Sequence, residues 1–190
     1  DYMQADILDL GQLDKTFDLI ESSGVLHHME DPMSGWRVLT TCLNSGGLMK
    51  IGLYSDLARQ HIVKIREEIS QGSIGSNSLE MKSFRNSVIN SNKDHHKQIS
   101  MSSDFHSLST LRDLLFHVQE HRFTVPQIKD CLTELSLKFC WFENKKFVQN
   151  FKLNITGADD PYDLDKWNSY EEANPLEFGA MYQFWCQKVG

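Results

Sequence analysis

The sequence has few of the features that mark disulfide-bonded, zinc-ribbon or membrane-spanning proteins. Its four cysteines stand far apart and form no CxxC pair, which argues against a disulfide framework and against a zinc ribbon. No apolar run approaches the roughly 18 residues of a membrane span, and no signal peptide is visible. We therefore predict a cytoplasmic protein with no membrane partner.

Positive charge is also scarce. Lys and Arg number 19 against 26 Asp and Glu, which gives a formal net charge of −7. Non-specific nucleic-acid binding needs clustered cations, so we predict no nucleic-acid partner. The acidic excess lies late in the chain, where Glu171, Glu172 and Glu177 are interpreted as part of a solvated face. With 190 residues and 40% hydrophobic residues, the chain is long enough for one domain with a substantial core.

Two short apolar segments, 17–22 and 48–53, have the near-continuous hydrophobic pattern of strands covered on both faces. Between them, Asp31 and Pro32 predict the start of a helix, because Asp can cap it and Pro suits its first turn. Residues 44–47, which include two glycines, are predicted to end that helix. The order strand, helix, strand predicts a right-handed parallel crossover and an α/β fold.

The segment FDLIESSGVLHHMEDP, followed by a helix, GG and LMKIGLYS, resembles the central part of class I methyltransferases that use S-adenosylmethionine. Two later segments, LRDLLFHVQEHRFTVPQIKDCLTELSLKFCWFE and EEANPLEFGAMYQFW, resemble the C-terminal part of bacterial methyltransferases often attached to tetratricopeptide repeats. The resemblance implies a Rossmann-like sheet. It also implies transfer of a methyl group from S-adenosylmethionine to an acceptor that the sequence does not identify.

The chain departs from the family pattern at its start. The family's glycine-rich loop after the first strand and the acidic residue that ends the second strand have no counterpart here. The chain opens at Asp1 where the family's third strand finishes, so we predict that two βα units, about 60 residues, precede it in a longer protein. We expect an incomplete methyltransferase sheet that alone is inactive and binds the cofactor feebly or not at all.

Three regions are predicted within one domain. Residues 1–55 form the C-terminal half of the cofactor-binding core, and 56–135 form a helical insertion after the second strand that acts as a lid. Residues 136–190 add an antiparallel pair of strands, 137–142 and 147–153, and final aromatic helices. The expected strand order is first, second, fourth, third, which exposes the strand from Phe17 to Ser22. We predict that this strand pairs with another chain, giving a homo-oligomer, or is covered by a rearranged segment.

Open α/β sheets bind ligands at the carboxyl ends of their strands, and the resemblance places the cofactor there. It implies that Asp6 accepts a hydrogen bond from the adenine amino group, although a turn or capping aspartate is the alternative. Gly24, after the first strand, permits the cofactor to approach the backbone closely, and Val25 and Leu26 supply an apolar wall. The predicted cofactor-binding residues are Asp6, Ile7, Ser22, Gly24, Val25 and His27.

Four residues are predicted to bind the acceptor: Tyr54, Arg112, His117 and His121. Tyr54 follows the second buried strand, and the other three are spaced near one face of a predicted helix, where they would bind an anionic or polar group. The alternatives are an aromatic residue at the rim of the core for Tyr54, and internal salt links on a solvated face for the other three.

No metal is predicted at either histidine pair. Adjacent residues rarely direct both rings at one ion, so His27 and His28 are not assigned as ligands, and His95 and His96 are interpreted as exposed and inert. Methyl transfer depends mainly on positioning the reactants, and no catalytic residue is assigned. The alternatives are a non-catalytic scaffold or interaction module derived from this fold, and a nucleotide-binding oxidoreductase, which no glycine fingerprint supports.

Overall fold

The computed structural model describes residues 2, 4–117, 119–154, 160–179 and 181–190, and the chain divides into two compact units. We call them the sheet unit, Asp1–Ala58 with Gln119–Gly190, and the helical unit, Arg59–Val118. The predicted insertion 56–135 therefore corresponds to the helical unit at its start but extends further along the chain. Its role as a lid remains a prediction.

Four strands and eight α-helices are described, and five of the helices follow one another between the second strand and the third. In order they are β1 (Phe17–Ser23), α1 (Pro32–Thr41), β2 (Leu43–Tyr54), α2 (Gln60–Gln71), α3 (Ser78–Ile89), α4 (Asp94–Ser100), α5 (Leu108–Phe116), α6 (Val125–Glu134), β3 (Leu137–Phe142), α7 (Lys145–Asn154), α8 (Leu164–Ala173) and β4 (Met181–Lys188). Short 3-10 helices cover Ile7–Gln12, Leu26–His28 and Ser103–Phe105. Within the described residues, no helix has the length and apolar character needed to cross a membrane.

The four strands form one sheet in the order β1-β2-β4-β3. Strands β1 and β2 are parallel, and β4 is antiparallel to both β2 and β3. The predicted order is confirmed, but the predicted fourth strand at 147–153 is wrong. That segment is helix α7, in which Phe147 and Phe151 recur at a helical spacing and pack against the core.

The fourth strand is instead β4, which the sequence interpretation placed among the final aromatic helices. Its buried residues, Tyr182, Phe184 and Cys186, alternate with the more exposed Gln183 and Trp185. An alternation with period two marks a strand with one face covered, and here it places large side chains in the centre of the sheet.

The start of α1 is as predicted, because Asp31 accepts a hydrogen bond from the backbone of Met33 and Pro32 lies in the first turn. Its predicted end at 44–47 is wrong, since α1 already ends at Thr41. The four residues belong to β2, where they form a bulge between the pairs Phe17–Leu43 and Leu19–Leu48. Gly46 has a φ of 76° there, a conformation that glycine adopts at little cost.

Strand β1 lies at the edge of the sheet and pairs with β2 alone among the described residues. Phe17 and Leu19 on this strand are 43% and 52% exposed. An apolar strand with unpaired N–H and C=O groups is a template for pairing with another strand. Pairing with a second chain remains a prediction.

The helical unit has its own core, to which Ile65, Met81, Ile99, Phe105 and Leu111 contribute fully buried side chains. Residues 71–104 form two of its helices, α3 and α4, and supply part of this core. Their apolar residues are sparse, but they recur at helical spacing and are sufficient for a small helical cluster.

Candidate functional site

The carboxyl ends of β1 and β2 meet at one edge of the sheet, because the strands are parallel and Ser23 pairs with Gly52. Beyond Ser23 the chain turns through Gly24, which has a φ of 77°. Apart from Gly24 itself and its two neighbours in the chain, no atom of the described residues lies within 4 Å of the place where a Cβ on Gly24 would stand. The backbone at this turn is therefore open to a ligand.

The residues beside Gly24 differ in polarity. Ser22 is buried, and its Oγ has no hydrogen-bond partner in the described part of the chain. Val25 is 46% exposed. These three residues can hold a ligand that has both polar and apolar parts. Ser22 offers a hydroxyl for a hydrogen bond, Gly24 leaves the backbone accessible, and Val25 offers an apolar surface.

His27, His28 and Tyr54 form an aromatic group at the same edge. The ring of His27 is fully buried and stacks on Tyr54, with 3.7 Å between ring centroids and 25° between planes. The ring of His28 meets both of the others edge-on, at centroid distances of 4.4 Å and 5.6 Å. The end of β2 and the turn after β1 are thus joined by ring contacts.

Residues 119–123 are joined to this edge by backbone hydrogen bonds. The backbone N–H of His121 donates to the carbonyl of His27 at 2.8 Å, and that of Phe123 donates to the carbonyl of Tyr54 at 2.8 Å. The backbone N–H of Asp56 in turn donates to the carbonyl of Phe123 at 2.8 Å. This segment was not predicted, and it brings His121 to the same edge as His27 and Tyr54.

A cavity of about 520 Å³ adjoins the same segment. His121, Arg122 and Phe123 line one part of it, and Asp31 and Asp130 line another. It lies where α1 begins and where the chain approaches α6, so His121 is shared between the edge of the sheet and this cavity.

Behind the end of β2 lies a buried polar network of Ser55, Glu171 and Tyr182. The hydroxyl of Ser55 donates to Glu171 Oε1 at 2.7 Å, and the phenol of Tyr182 donates to the same carboxyl at 2.7 Å and 2.8 Å. Burial raises the pKa of the Glu171 carboxyl, and the hydrogen bonds from Tyr182 and Ser55 offset only part of that rise. Burial also raises the pKa of Tyr182, so its phenol remains a hydrogen-bond donor.

Known proteins share this architecture. Residues 1–51 match the family model described as a methyltransferase domain. PKMT2 from Rickettsia typhi in complex with AdoHcy is similar in structure, with a TM-score of 0.69 and 15% sequence identity, over 96% of this chain and 37% of that protein. A second structure of PKMT2 from Rickettsia typhi has a TM-score of 0.65 and 16% identity, with the same coverage.

The fold is that of a class I methyltransferase. An uncharacterized protein from Synechococcus sp. is 26% identical over 179 residues, which are 89% of this chain and 43% of that protein. The chain thus spans less than half the length of the relatives it matches. The resemblance to methyltransferases identified from the sequence is confirmed, and so is the α/β sheet with a helical insertion after the second strand. The likeness of the C-terminal segments to methyltransferases attached to tetratricopeptide repeats stays a prediction.

With the methyltransferase fold identified, the positions of the predicted cofactor residues can be compared with it. Ser22, Gly24, Val25 and His27 all lie at the carboxyl edge of β1, within the part that matches the family model. Asp6 caps the first 3-10 helix, where its carboxylate accepts from the backbone N–H of Leu8 at 2.9 Å.

The capping alternative for Asp6 therefore matches its local geometry, and Ile7, which follows it, packs against the core of the sheet unit. A capping carboxylate keeps a second oxygen that can accept another hydrogen bond. The cofactor roles of Asp6 and Ile7 both stay predictions.

The predicted acceptor residues do not share one helical face, and that part of the prediction is wrong. Helix α5 ends at Phe116, because His117 has an extended conformation with φ −66° and ψ 135°. Arg112 lies on α5 in the helical unit, where its guanidinium donates to the carbonyl of Ser76 at 3.2 Å. His121 lies in the sheet unit with Tyr54. Their roles in acceptor binding remain predictions.

Sequence reasoning missed Ser55 and Glu171, and it placed Glu171 wrongly on a solvated acidic face. Glu171 is fully buried. Trp167 and Tyr170, which precede it by four residues and by one, are buried as well. Helical spacing from Trp167 places Glu171 on the same face, and this signal was available in the sequence.

Proposed function

We propose that this chain forms part of a methyltransferase that uses S-adenosylmethionine, and that the carboxyl edge of β1 and β2 contributes to its cofactor site. The observation that carries the proposal is the sheet order β1-β2-β4-β3 with β4 antiparallel to its neighbours, in a fold shared with PKMT2. PKMT2 has AdoHcy bound in one of its structures, which supports the same cofactor here.

The residues at the edge fit such a ligand. The unpartnered hydroxyl of Ser22 supplies a hydrogen bond, Gly24 lets the ligand approach the backbone, and exposed Val25 covers an apolar part of it. Asp6 supplies a carboxylate for the adenine amino group. His27, buried against Tyr54, closes the inner side of the pocket.

Bound S-adenosylmethionine supplies an electrophilic methyl group, whose bond to sulfur breaks as its bond to the acceptor forms, leaving AdoHcy. The protein's contribution to such a displacement is to hold both reactants in line and to exclude water. Tyr54 and His121 flank the edge where the acceptor would approach. The acceptor is itself the nucleophile in such a displacement, so the protein need not supply one, and the methylated acceptor loses its proton to water when it leaves the site.

Calorimetric titration of S-adenosylmethionine and of AdoHcy tests this proposal, both with the 190-residue chain and with the longer protein in which we expect it to lie. We expect binding by the longer protein, and feeble or no binding by the chain alone, because its sequence contains no glycine-rich loop after a strand. Failure of the longer protein to bind either compound would favour the non-catalytic scaffold.

A matched pair of glycine variants tests the location of the site. Gly24 and Gly46 have nearly equal φ values, 77° and 76°, and both have open space where a Cβ would stand. Gly24→Ala and Gly46→Ala therefore impose similar backbone strain, about 1 kcal/mol each. Only Gly24→Ala places a methyl group against the proposed ligand, and we expect it alone to weaken cofactor binding by the longer protein at least tenfold. Equal losses in both variants would contradict the assignment.

We also propose that the protein is located in the cytoplasm. All four cysteines, Cys42, Cys131, Cys140 and Cys186, are free thiols in the structure, and a reducing compartment is consistent with that. Selective labelling of these thiols in freshly lysed cells, without a reducing agent, measures their redox state.

A further inference from the structure

A carboxylate and two imidazoles converge in the helical unit. Glu68 lies on α2, and His95 and His96 lie in the first turn of α4. The Nε2 atom of His95 is 2.9 Å from Glu68 Oε1, and the Nε2 atom of His96 is 2.7 Å from Glu68 Oε2. The sequence interpretation of the histidine pair as exposed is wrong, since His96 is 5% exposed.

Adjacent histidines reach one carboxylate because Glu68 presents an oxygen to each. The two rings lie edge-on, with 4.6 Å between centroids and 71° between planes, and the Nε2 atom of each is within hydrogen-bond distance of the carboxylate. Their ligand atoms and that of Glu68 all lie within 4.8 Å of one another. The objection that neighbouring rings diverge therefore does not hold here.

We propose that Glu68, His95 and His96 bind a divalent first-row transition-metal ion, for which Zn²⁺ is the natural probe. Zinc takes imidazole nitrogen at about 2.0–2.1 Å and carboxylate oxygen at about 2.0–2.2 Å, which places ligand atoms roughly 3.4 Å apart in a tetrahedron. The imidazole nitrogens now lie 2.9 Å and 2.7 Å from the Glu68 oxygens, so each nitrogen would have to move about 0.5–0.7 Å away from the carboxylate to reach that spacing. The three groups leave a fourth position open for water or another ligand.

The burial of this cluster favours direct coordination of an ion by the side chains over diffuse electrostatic attraction at the surface. Nδ1 of His96 is buried and has no hydrogen-bond partner in the described residues, so the ring makes its polar contact through Nε2. The side chain of Glu68 is largely shielded, and that of His95 is more so. An ion here would also join α2 to α4 and stabilise the helical unit.

Lys93 would compete with a metal ion for the carboxylate of Glu68. Its ammonium lies 2.7 Å from Glu68 Oε1, but its side chain is 56% exposed. An exposed ion pair contributes little stability, so this ammonium can turn to water when a metal ion takes its place. Replacing Lys93 with a neutral residue is therefore expected to strengthen metal binding.

Calorimetric titration of Zn²⁺ into the metal-free 190-residue chain tests the site. We expect one ion per cluster, with affinity lowered at least tenfold in His95→Ala and in Glu68→Gln and raised severalfold in Lys93→Met. His106→Ala, which removes an exposed histidine of the same unit, is the matched control and should leave the affinity unchanged. Zinc X-ray absorption on the unaltered chain should show two imidazole nitrogens at about 2.0–2.1 Å.

Three results would overturn the proposal. One is Zn²⁺ affinity that His95→Ala and Glu68→Gln leave unchanged, which would locate the ion elsewhere. Another is no heat of binding at Zn²⁺ concentrations up to about 0.1 mM, where any site of useful affinity is occupied. The third is an absorption spectrum without two imidazole ligands, a measurement that does not depend on whether the variants fold.

Discussion

Glu171→Ala should destabilise the sheet unit strongly, because Glu171 is the acceptor for two buried hydroxyls. Tyr182 and Ser55 both donate to its carboxyl, and all three side chains are fully buried. Alanine leaves both donors without that acceptor and leaves a cavity where the side chain stood. Ser55 keeps one contact, since its Oγ also accepts from the backbone N–H of Ala58 at 3.0 Å.

The expected loss follows from these contacts. A buried hydroxyl left unsatisfied costs about 1–3 kcal/mol, and two such groups together cost on the order of 4 kcal/mol. The cavity adds about 1 kcal/mol, while removing a carboxyl from a buried place offsets some of the loss. We expect Glu171→Ala to lower the free energy of unfolding by about 3 kcal/mol.

Glu171→Gln separates hydrogen bonding from charge. The amide keeps an oxygen that accepts from Tyr182, so we expect a change within about 1 kcal/mol near neutral pH. Burial raises the pKa of Glu171 above its ordinary value of 4.5, so the folded chain holds that proton more tightly than the unfolded chain.

The stability of the unaltered chain therefore falls as pH rises from below that ordinary value through the raised pKa of Glu171. Glutamine has no such titration. The difference in stability between the two proteins should shift in favour of Glu171→Gln with rising pH.

Urea unfolding followed by tryptophan fluorescence measures these changes. Trp36, Trp141, Trp167 and Trp185 all lie in the sheet unit, so the signal reports on the unit that contains Glu171. The matched control is Glu172→Ala, an exposed residue of the same helix, which should cost less than about 0.5 kcal/mol.

Two results would refute the reasoning. One is a loss below about 1 kcal/mol for Glu171→Ala, which would mean that the two hydroxyls find other partners. The other is a difference between Glu171→Gln and the unaltered chain that stays constant from about pH 5 to about pH 8, which would mean that Glu171 is not shifted by burial.

Two further predictions concern packing and association. Phe151→Ala should cost about 4 kcal/mol in urea unfolding, because this fully buried ring stacks on Trp167 at 3.9 Å, whereas exposed Leu153→Ala on the same helix should cost less than about 0.5 kcal/mol. Leu19→Lys should reduce self-association of the 190-residue chain, measured by light scattering across a range of concentrations, because a charge on the edge strand opposes pairing with another chain. Unaltered chain that is monomeric at every concentration would contradict the second prediction.

The elements that were predicted correctly have signals within a few neighbouring residues. Continuous apolar runs identify β1 and the second half of β2, and Asp31 with Pro32 identifies the start of α1. The segment of α7 was predicted as a strand and that of β4 as a helix. Both errors arise because aromatic residues suit a buried helix and a buried strand equally. Only their spacing distinguishes the two, and the alternation in β4 carries that information.

The candidate site was predictable where it depends on strand ends, and unpredictable where it depends on distant pairings. Ser22 and Tyr54 lie at the carboxyl ends of two parallel strands and Gly24 follows the first of them, and parallel strands bring their carboxyl ends together. His121 reaches the same edge through backbone hydrogen bonds between residues 119–123 and two other segments. No local pattern marks such a segment, because its partners lie about 70 to 90 residues away in the sequence.

The buried network connects the stability of the sheet unit to the geometry of this edge. Ser55 follows Tyr54 directly, and its hydroxyl is held by Glu171, which lies 116 residues further along the chain. An apolar cluster of the same volume would often be at least as stable, so burial alone does not account for a carboxyl in this place. The carboxyl contributes geometric specificity instead, because its oxygens accept hydrogen bonds only from donors in particular positions. The end of β2, and with it the ring of Tyr54, is therefore held in one register relative to α8 and β4.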